Sequence, residues 1–203
     1  MAQKKSCTDA VDLYEDVLKC PGQKRLPGTR AYGWFIRRAY ITKLAEPQKE
    51  AATALKDYLV IKESHTLQAD KKWIRLEFIP DKSSMAPEAQ GEEGSKTMNN
   101  KATVVLPGTE EEQQAVASML LNDDVIVLVP QRNGKVRQFG DDAFTVNVTP
   151  SATTGASVTD ESNTTLEISV ACETMPPFYY GDIVTADGTY SGETCKLKTV
   201  SEV

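Results

Sequence analysis

Much of the chain alternates apolar with polar residues, and this alternation predicts strands that have one face in a core and one in solvent. It is clearest in WIRLEFI (residues 73–79), ATVVL (102–106) and LEISV (166–170). In the first of these segments Ile74, Leu76 and Phe78 share one face, while Arg75 and Glu77 lie on the other. We therefore expect strands with one core face and one mostly polar face.

Turn signals arrange the apolar segments into hairpins. VIVLV (125–129) has no polar interruption and predicts a buried strand, and Asn133-Gly134 supplies the positive φ of a tight turn before its mate, GKVRQF. AYGWFIRRAYI (31–41) is rich in aromatic and β-branched residues and predicts a further strand. Residues 150–165 are rich in Ser and Thr and predict a turn region. Asp187-Gly188 marks another turn, so residues 175–203 are expected to form a C-terminal hairpin or arm.

The firmest helix signal begins at Thr109. Its hydroxyl is placed to cap the helix, and Glu112 completes a capping box three residues later. An apolar stripe follows at helical spacing, formed by Val116, Met119 and Leu120, and the helix is expected to end at residue 122. About eight strands and this helix predict a mainly β fold: a β-sandwich or barrel with one flanking α-helix, in a single domain over residues 1–203.

Residues 80–103 contain no Val, Ile, Leu, Phe, Tyr or Trp, yet predicted strands lie on both sides of them. We expect the strands at 73–79 and 102–106 to pair as a long hairpin, with a polar extended loop at 80–100. So little apolar surface cannot offset the entropy of ordering this loop alone. The loop is therefore either a flexible surface loop or an arm that becomes ordered against a neighbouring subunit.

The first forty residues are compatible with two structures. Val11, Leu13, Tyr14, Val17 and Leu18 have the spacing of a short amphipathic helix. An extended N-terminal arm over residues 1–40, turning at the Pro-Gly steps at 21–22 and 27–28, fits the sequence equally well. Both interpretations stay open at this point.

The net charge of the chain argues against tight binding of nucleic acid. The net charge is −6 at pH 7 and the sequence pI is about 5.0, whereas tight binding to phosphate backbones needs basic surface. The mean hydropathy is −0.38, so no membrane span is expected, and acidic residues early in the chain disfavour a signal peptide. We expect a soluble protein made in a cytoplasm.

The sequence contains no recognisable catalytic or metal-binding motif. His65 is the only histidine and has no Cys near it, so we expect it to be structural or solvated. The carboxylate pairs Asp123-Asp124 and Asp141-Asp142 fit turns better than a metal site or an acid–base pair. These observations predict a protein that is not an enzyme and needs no cofactor or metal.

The four cysteines, Cys7, Cys20, Cys172 and Cys195, are widely spaced and form no CxxC motif. In a chain without a signal peptide they are most simply reduced thiols. A Cys7–Cys20 disulfide is the one pairing that the sequence leaves open.

The densest aromatic cluster is PPFYYG, with Phe178, Tyr179 and Tyr180. If exposed, it forms a subunit contact or a sugar-binding platform, and if buried it is core at the end of a strand. The sugar-binding hypothesis is weaker than the subunit-contact hypothesis, because the cluster is not accompanied by a set of polar residues that could hydrogen-bond to a sugar.

A β fold with one helix, a long polar hairpin arm and strands with one polar face resembles the tail tube proteins of long-tailed bacteriophages and the related tubes of injection systems. The phrases EEGSKTMNNKATVVLPGTEEE and TGASVTDESNTTLEISVACE are also similar to phage virion proteins. The resemblance implies hexameric rings that stack into a tube, with copies of the chain and other tail proteins as partners. It places the protein in the virion tail, made in the bacterial host cytoplasm, with genomic DNA passing through the lumen without tight binding.

The same resemblance assigns roles to particular residues. Four residues of the two central strands are expected to line the lumen: Arg75, Glu77, Lys101 and Thr103. Five residues of the loop at 80–100 are expected to form the inter-ring arm: Met85, Glu88, Glu92, Glu93 and Lys96. Two alternatives remain: a carbohydrate-binding or adhesive β-sandwich module, and another phage component such as a tail terminator or head–tail connector.

Overall fold

A computed structural model describes residues 13–23 and 25–198 of the chain. The described part is mainly β with one α-helix, as the sequence predicts. The helix is α1 (Glu111–Leu120), and the strands are β1 (Tyr32–Arg37), β2 (Ile41–Lys43), β3 (Val60–Ile61), β4 (Thr66–Leu67), β5 (Ile74–Glu77), β6 (Ser84–Met85), β7 (Glu88–Gln90), β8 (Thr97–Pro107), β9 (Val125–Pro130), β10 (Val136–Phe139), β11 (Asn147–Thr153), β12 (Asn163–Cys172), β13 (Phe178–Tyr179), β14 (Asp182–Thr185) and β15 (Gly188–Ser191).

Two sheets pack face to face as a sandwich. The first has the strand order β3-β13-β10-β9-β1-β5, and all of its pairs are antiparallel except β13 with β3. The second has the order β11-β12-β8-β6, with β7 also paired to β8. Two short pairs, β2 with β4 and β14 with β15, lie outside these sheets. Large apolar side chains of both sheets fill the space between them, among them Phe35, Val127, Phe139, Val104 and Leu166.

Strand β9 lies at the centre of the molecule and is buried on both faces. Its odd-numbered residues, Val125, Val127 and Val129, belong to the core between the sheets. Ile126 and Leu128 point the other way, into a second core with Trp34, Ile61, Trp73, Tyr179 and Ile183. The absence of polar residues in this strand follows from these two cores, because neither face meets water.

Strands β5 and β8 are not hairpin partners, so this prediction was wrong. β5 is an edge strand of the first sheet and pairs with β1, while β8 pairs with β12, β6 and β7 in the second sheet. A hydrogen bond from Ile79 N to Val105 O (2.7 Å) joins the two segments beyond the end of β5. The intervening chain forms short strands of its own on β8, and these occupy the edge that β5 was expected to use.

The loop at 80–100 is largely ordered within the sheet, against our expectation of a mobile or partner-ordered arm. β7 pairs with the start of β8, which begins at Thr97 rather than near residue 102. Strand pairing satisfies backbone hydrogen bonds and needs little apolar side-chain area. Only residues 91–96, which we call the hairpin tip, lie beyond the paired strands, and Gly91 and Gly94 there adopt positive φ.

Helix α1 differs from its prediction at the start and on its buried face. It begins at Glu111, and the Thr109 hydroxyl makes a hydrogen bond with Ser162 Oγ (3.0 Å) instead of capping it. Ala117 and Leu120 are buried against the second sheet, whereas Met119 is 68% exposed. The helix therefore flanks the sheet as expected but is rotated relative to the predicted stripe.

Strand β11 continues through Pro150 to Thr153, where the sequence predicts a turn region. Proline is compatible with this position because β11 is an edge strand and one side of its backbone has no strand partner. The turn region is therefore shorter than predicted and covers residues 154–162.

Residues 13–23 and 25–31 contain turns and an isolated bridge from Thr29 to Gln131 but no helix, which favours the arm over the helix in the described part. Residues 1–12 lie outside the described residues. At the other end β14 and β15 form the predicted hairpin, with Gly188 at positive φ, and residues 199–203 lie outside the described part. The helices in the described part of the chain are too short and too polar to cross a membrane.

Candidate assembly surfaces

The four residues expected to line a lumen lie on two different sheets. Arg75 and Glu77 are exposed on β5, where they form an ion pair (3.0 Å) and the Arg75 guanidinium lies 4.6 Å from the ring centre of Tyr32. Lys101 is exposed on β8 and pairs with Glu88, while Thr103 is half-buried on the same strand. The structure therefore does not join the four residues in one strand pair, as the predicted hairpin required.

The five predicted arm residues separate into two groups. Met85 is partly buried against the core and Glu88 is held by Lys101, so these two belong to the sheet. Glu92, Glu93 and Lys96 are exposed in the hairpin tip. The pairing of β12 with β8 ends at Met98, and the tip lies beyond that last pair. It is the part of the predicted arm that stays available to a partner.

The middle residue of the aromatic cluster, Tyr179, belongs to the core, which corrects its assignment to a subunit contact. Tyr179 is fully buried; its hydroxyl accepts a hydrogen bond from His65 N (3.1 Å) and donates one to Asp182 O (3.0 Å). Phe178 is half-buried under the Arg137 guanidinium, 3.6 Å from its ring centre, and Tyr180 is half-buried. Burial lowers the pKa of Arg137 to about 10. Strand alternation turns the middle aromatic residue inward, which the cluster's composition could not indicate.

The N-terminal segment, residues 13–23 and 25–30, exposes the largest group of apolar side chains in the described part of the chain. Tyr14 is 96% exposed, Val17 85% and Leu18 76%. A hydrogen bond from Leu55 N to Glu15 Oε1 (2.8 Å) ties the segment to the body. Exposed apolar side chains grouped in one segment are typical of a binding surface rather than of ordinary solvent-facing chain.

His65 is buried and structural. Its Nδ1 accepts a hydrogen bond from Ala45 N (3.0 Å), so Nε2 carries the proton and donates to Gln138 Oε1 (2.9 Å). Gln138 in turn donates to Gly140 O (3.1 Å), and the imidazole stacks on Tyr179 with 4.6 Å between ring centres. Burial lowers the pKa of His65 to about 4, which keeps the ring neutral at pH 7.

Gln138, which accepts the hydrogen bond from His65, also lines one wall of a cleft of about 770 Å³. The segment at 45–51, the turn at 140–144 and the residues after β12 supply the other walls. Five carboxylate residues and one lysine line the cleft: Glu46, Glu50, Asp141, Asp142, Glu173 and Lys49. The sequence did not indicate this cleft because its walls come from separate parts of the chain and contain no local motif.

The acidic pairs make ion pairs and turn hydrogen bonds, and the described cysteines are free thiols. Asp123 pairs with Arg37, and Asp141 accepts hydrogen bonds from Ala143 N (2.9 Å) and Phe144 N (2.7 Å) as a turn cap. Burial raises the pKa of the Cys172 thiol to about 11, so this cysteine stays protonated. Cys20 is exposed with a free thiol, and Cys7 lies outside the described residues. Among the described residues, no group of three or more His, Cys, Asp and Glu is placed to hold a metal ion.

Comparison with known proteins identifies no relative: no family model, curated protein or solved structure matches the chain.

Proposed function

We propose that the protein is a structural subunit of a bacteriophage tail tube, built of stacked hexameric rings, rather than an enzyme. Its partners are further copies of itself and other tail proteins, and genomic DNA passes through the lumen without tight binding. It resides in the virion tail after synthesis in the bacterial host cytoplasm. The observation that carries the proposal is the ordered hairpin of β7 and β8, whose charged tip lies beyond the sheet.

The sheet edges support assembly into rings. β5 and β11 are edge strands, and backbone groups on one side of each lack a strand partner among the described residues. Edge strands of this kind recruit strands of another chain. A closed ring satisfies both edges with copies of the same subunit, which removes the risk of open-ended aggregation.

The charge of the molecule supports passage of DNA without tight binding. The net charge of −6 gives little counterion release on contact with phosphate, so DNA that enters a lumen is not held. The exposed arginine and lysine among the proposed lumen residues are both paired with glutamate: Arg75 with Glu77, and Lys101 with Glu88. These pairs reduce the attraction of each cation for a phosphate.

The burial of part of the aromatic cluster favours the tube over the carbohydrate-binding alternative. A sugar platform needs exposed aromatic faces, whereas Tyr179 is core and Phe178 is covered by Arg137. A tail terminator or head–tail connector uses similar ring contacts, and ring formation without stacking would indicate one of these components instead.

Electron microscopy of the purified protein tests the proposal. Wild type should form rings and stacked tubes, while a variant with residues 91–96 replaced by Asn-Gly should form rings that do not stack. The two-residue turn closes the β7–β8 hairpin, so the variant should keep the wild-type melting temperature. A larger deletion such as residues 83–95 would not be a clean test, because it would remove β6, β7 and Ser83, whose Oγ accepts a hydrogen bond from Val105 N (3.1 Å).

A second variant separates the length of the tip from its charge. Glu92→Gln with Glu93→Gln keeps the length and should still stack if the reach of the tip is what matters. Normal tubes from the shortened variant would contradict the role of the tip. A wild-type protein that remains monomeric at high concentration would contradict the tube assignment itself.

A further inference from the structure

We propose that the cleft beside β8 and β10 is a binding site for a small linear polyamine, whose ammonium groups meet the carboxylate and carbonyl oxygens that line it. The proposal concerns the folded subunit and does not depend on tube formation. A cleft of about 770 Å³ falls in the range of small-molecule sites in proteins.

The base of the cleft has an unsatisfied acceptor. Asn100 is 2% exposed, lines the cleft, and its Nδ2 donates a hydrogen bond to Thr174 O (2.9 Å). This bond fixes the amide orientation, and Oδ1 has no donor within hydrogen-bond distance among the described residues. A buried carbonyl oxygen without a donor carries a desolvation cost that a bound N–H group removes.

Asp141 presents a second acceptor in the same wall. Its Oδ1 is held by the amides of Ala143 and Phe144, which fixes the carboxylate. Among the described residues, its other oxygen, Oδ2, has a hydrogen bond only with the Cys172 thiol, at the long distance of 3.8 Å. The thiol is a weak donor, so Oδ2 stays available to a stronger one.

The negative charge of the residues that line the cleft favours a positively charged ligand. Arg38 neutralises Asp142, and Lys49 neutralises Glu173 at 3.2 Å. Asp141 and Glu46 have no cationic partner among the described residues. Phe144, which is 41% exposed, adds an aromatic ring to the lining, and such rings attract ammonium groups.

The spread of these groups favours an organic cation over a metal ion. A divalent metal needs several oxygen ligands around one point, whereas the described residues contain no such group of three. A linear polyamine carries its charges several ångströms apart, and so its ammonium groups can meet Asn100, Asp141 and Glu46 at separate points of the lining.

Calorimetric titration with spermidine tests the site, with 1,8-octanediol as the uncharged probe of similar length. Wild type should bind spermidine with one site per chain and should not bind the diol. Asp141→Asn keeps a carbonyl oxygen for the two amides but removes the charge, so affinity should fall at least tenfold. Asn100→Leu removes the buried acceptor and should weaken binding as well; its melting temperature shows whether it folds.

Asp160→Asn is the matched control. Asp160 caps a loop through the amides of Ala156 and Ser157 in the same way as Asp141, but it does not line the cleft. Its replacement removes one negative charge and should leave spermidine affinity within about twofold of wild type. Equal weakening in both Asp→Asn variants would show general attraction to an acidic surface and would overturn the proposal, as would the absence of binding by wild type.

Discussion

At the scale of single residues, burial decides what the polar and aromatic side chains do. The lone histidine has an ordinary sequence context, yet its ring is enclosed, stacked on Tyr179 and hydrogen-bonded at both nitrogens. A buried imidazole that is neutral in the folded state makes stability depend on pH. As the pH falls, the unfolded chain binds a proton at this histidine before the folded chain does.

We expect His65 to destabilise the fold on acidification. Its pKa is about 4 in the folded protein and near 6.5 in an unfolded chain. The stability it contributes is therefore fully present above pH 6.5 and is lost as pH falls toward 4, by about 3 kcal/mol at most. Since it is the only histidine, His65→Gln isolates this contribution. Urea unfolding at about pH 7 and about pH 4.5 should show that the variant loses less stability than wild type on acidification; parallel losses would contradict the assignment.

The hydroxyl of Tyr179 offers a second test at this scale. Tyr179→Phe leaves the carbonyl of Asp182 and the amide of His65 without their partner, and it should lower the free energy of unfolding by about 1–3 kcal/mol. Tyr180→Phe, at the half-buried neighbour, is the control and should stay within about 0.5 kcal/mol of wild type. If the two variants lost similar free energy of unfolding in a denaturant titration, the result would contradict the assignment of Tyr179, rather than Tyr180, to the core.

At the scale of elements, strand and helix types follow from local pattern, whereas partners and rotations do not. The hairpin of β9 and β10 forms as predicted because its turn is local: residues 131–135 connect the two strands, and Gly134 adopts positive φ. β5 and β8 are separated by a long connection, so nothing local fixes their pairing. β6 and β7 take the edge of β8 instead.

Helix α1 provides the prediction at this scale. Leu120 is buried against the second sheet, so Leu120→Ala should cost about 2–5 kcal/mol in the free energy of unfolding. Met119→Ala, one position earlier and mostly exposed, is the matched control and should change stability by less than about 0.5 kcal/mol. If the two variants were equally destabilised in urea, the helix would be rotated toward the stripe expected from the sequence.

At the scale of the whole molecule, the proposed assembly into a tube depends on exposed surfaces of the subunit. The N-terminal segment exposes apolar side chains while it is tied to the body through Glu15. Such a segment loses its exposed apolar area when it lies on a neighbouring copy.

Replacing Val17 and Leu18 with Ser should therefore weaken self-association without unfolding the subunit. Both side chains are more than three-quarters exposed, so the melting temperature of the monomer should not change. Val158→Ser is the control, since Val158 is fully exposed in the loop at 154–162. Sedimentation velocity should show a shift toward smaller species for the double variant alone. An unchanged distribution of species would show that the N-terminal segment does not contribute to self-association.

The sequence by itself determined the fold class, the central buried strand, two tight hairpins and the presence of a helix near residues 111–120. Each of these depends on interactions over a few residues: side-chain alternation, helical spacing and turn conformation. Tertiary structure decided the rest. It placed β5 and β8 in different sheets, turned Tyr179 inward, folded residues 84–90 onto β8, and brought Asn100, Asp141 and Glu46 to one cleft. These outcomes depend on contacts between residues far apart in the chain, which leave no local pattern.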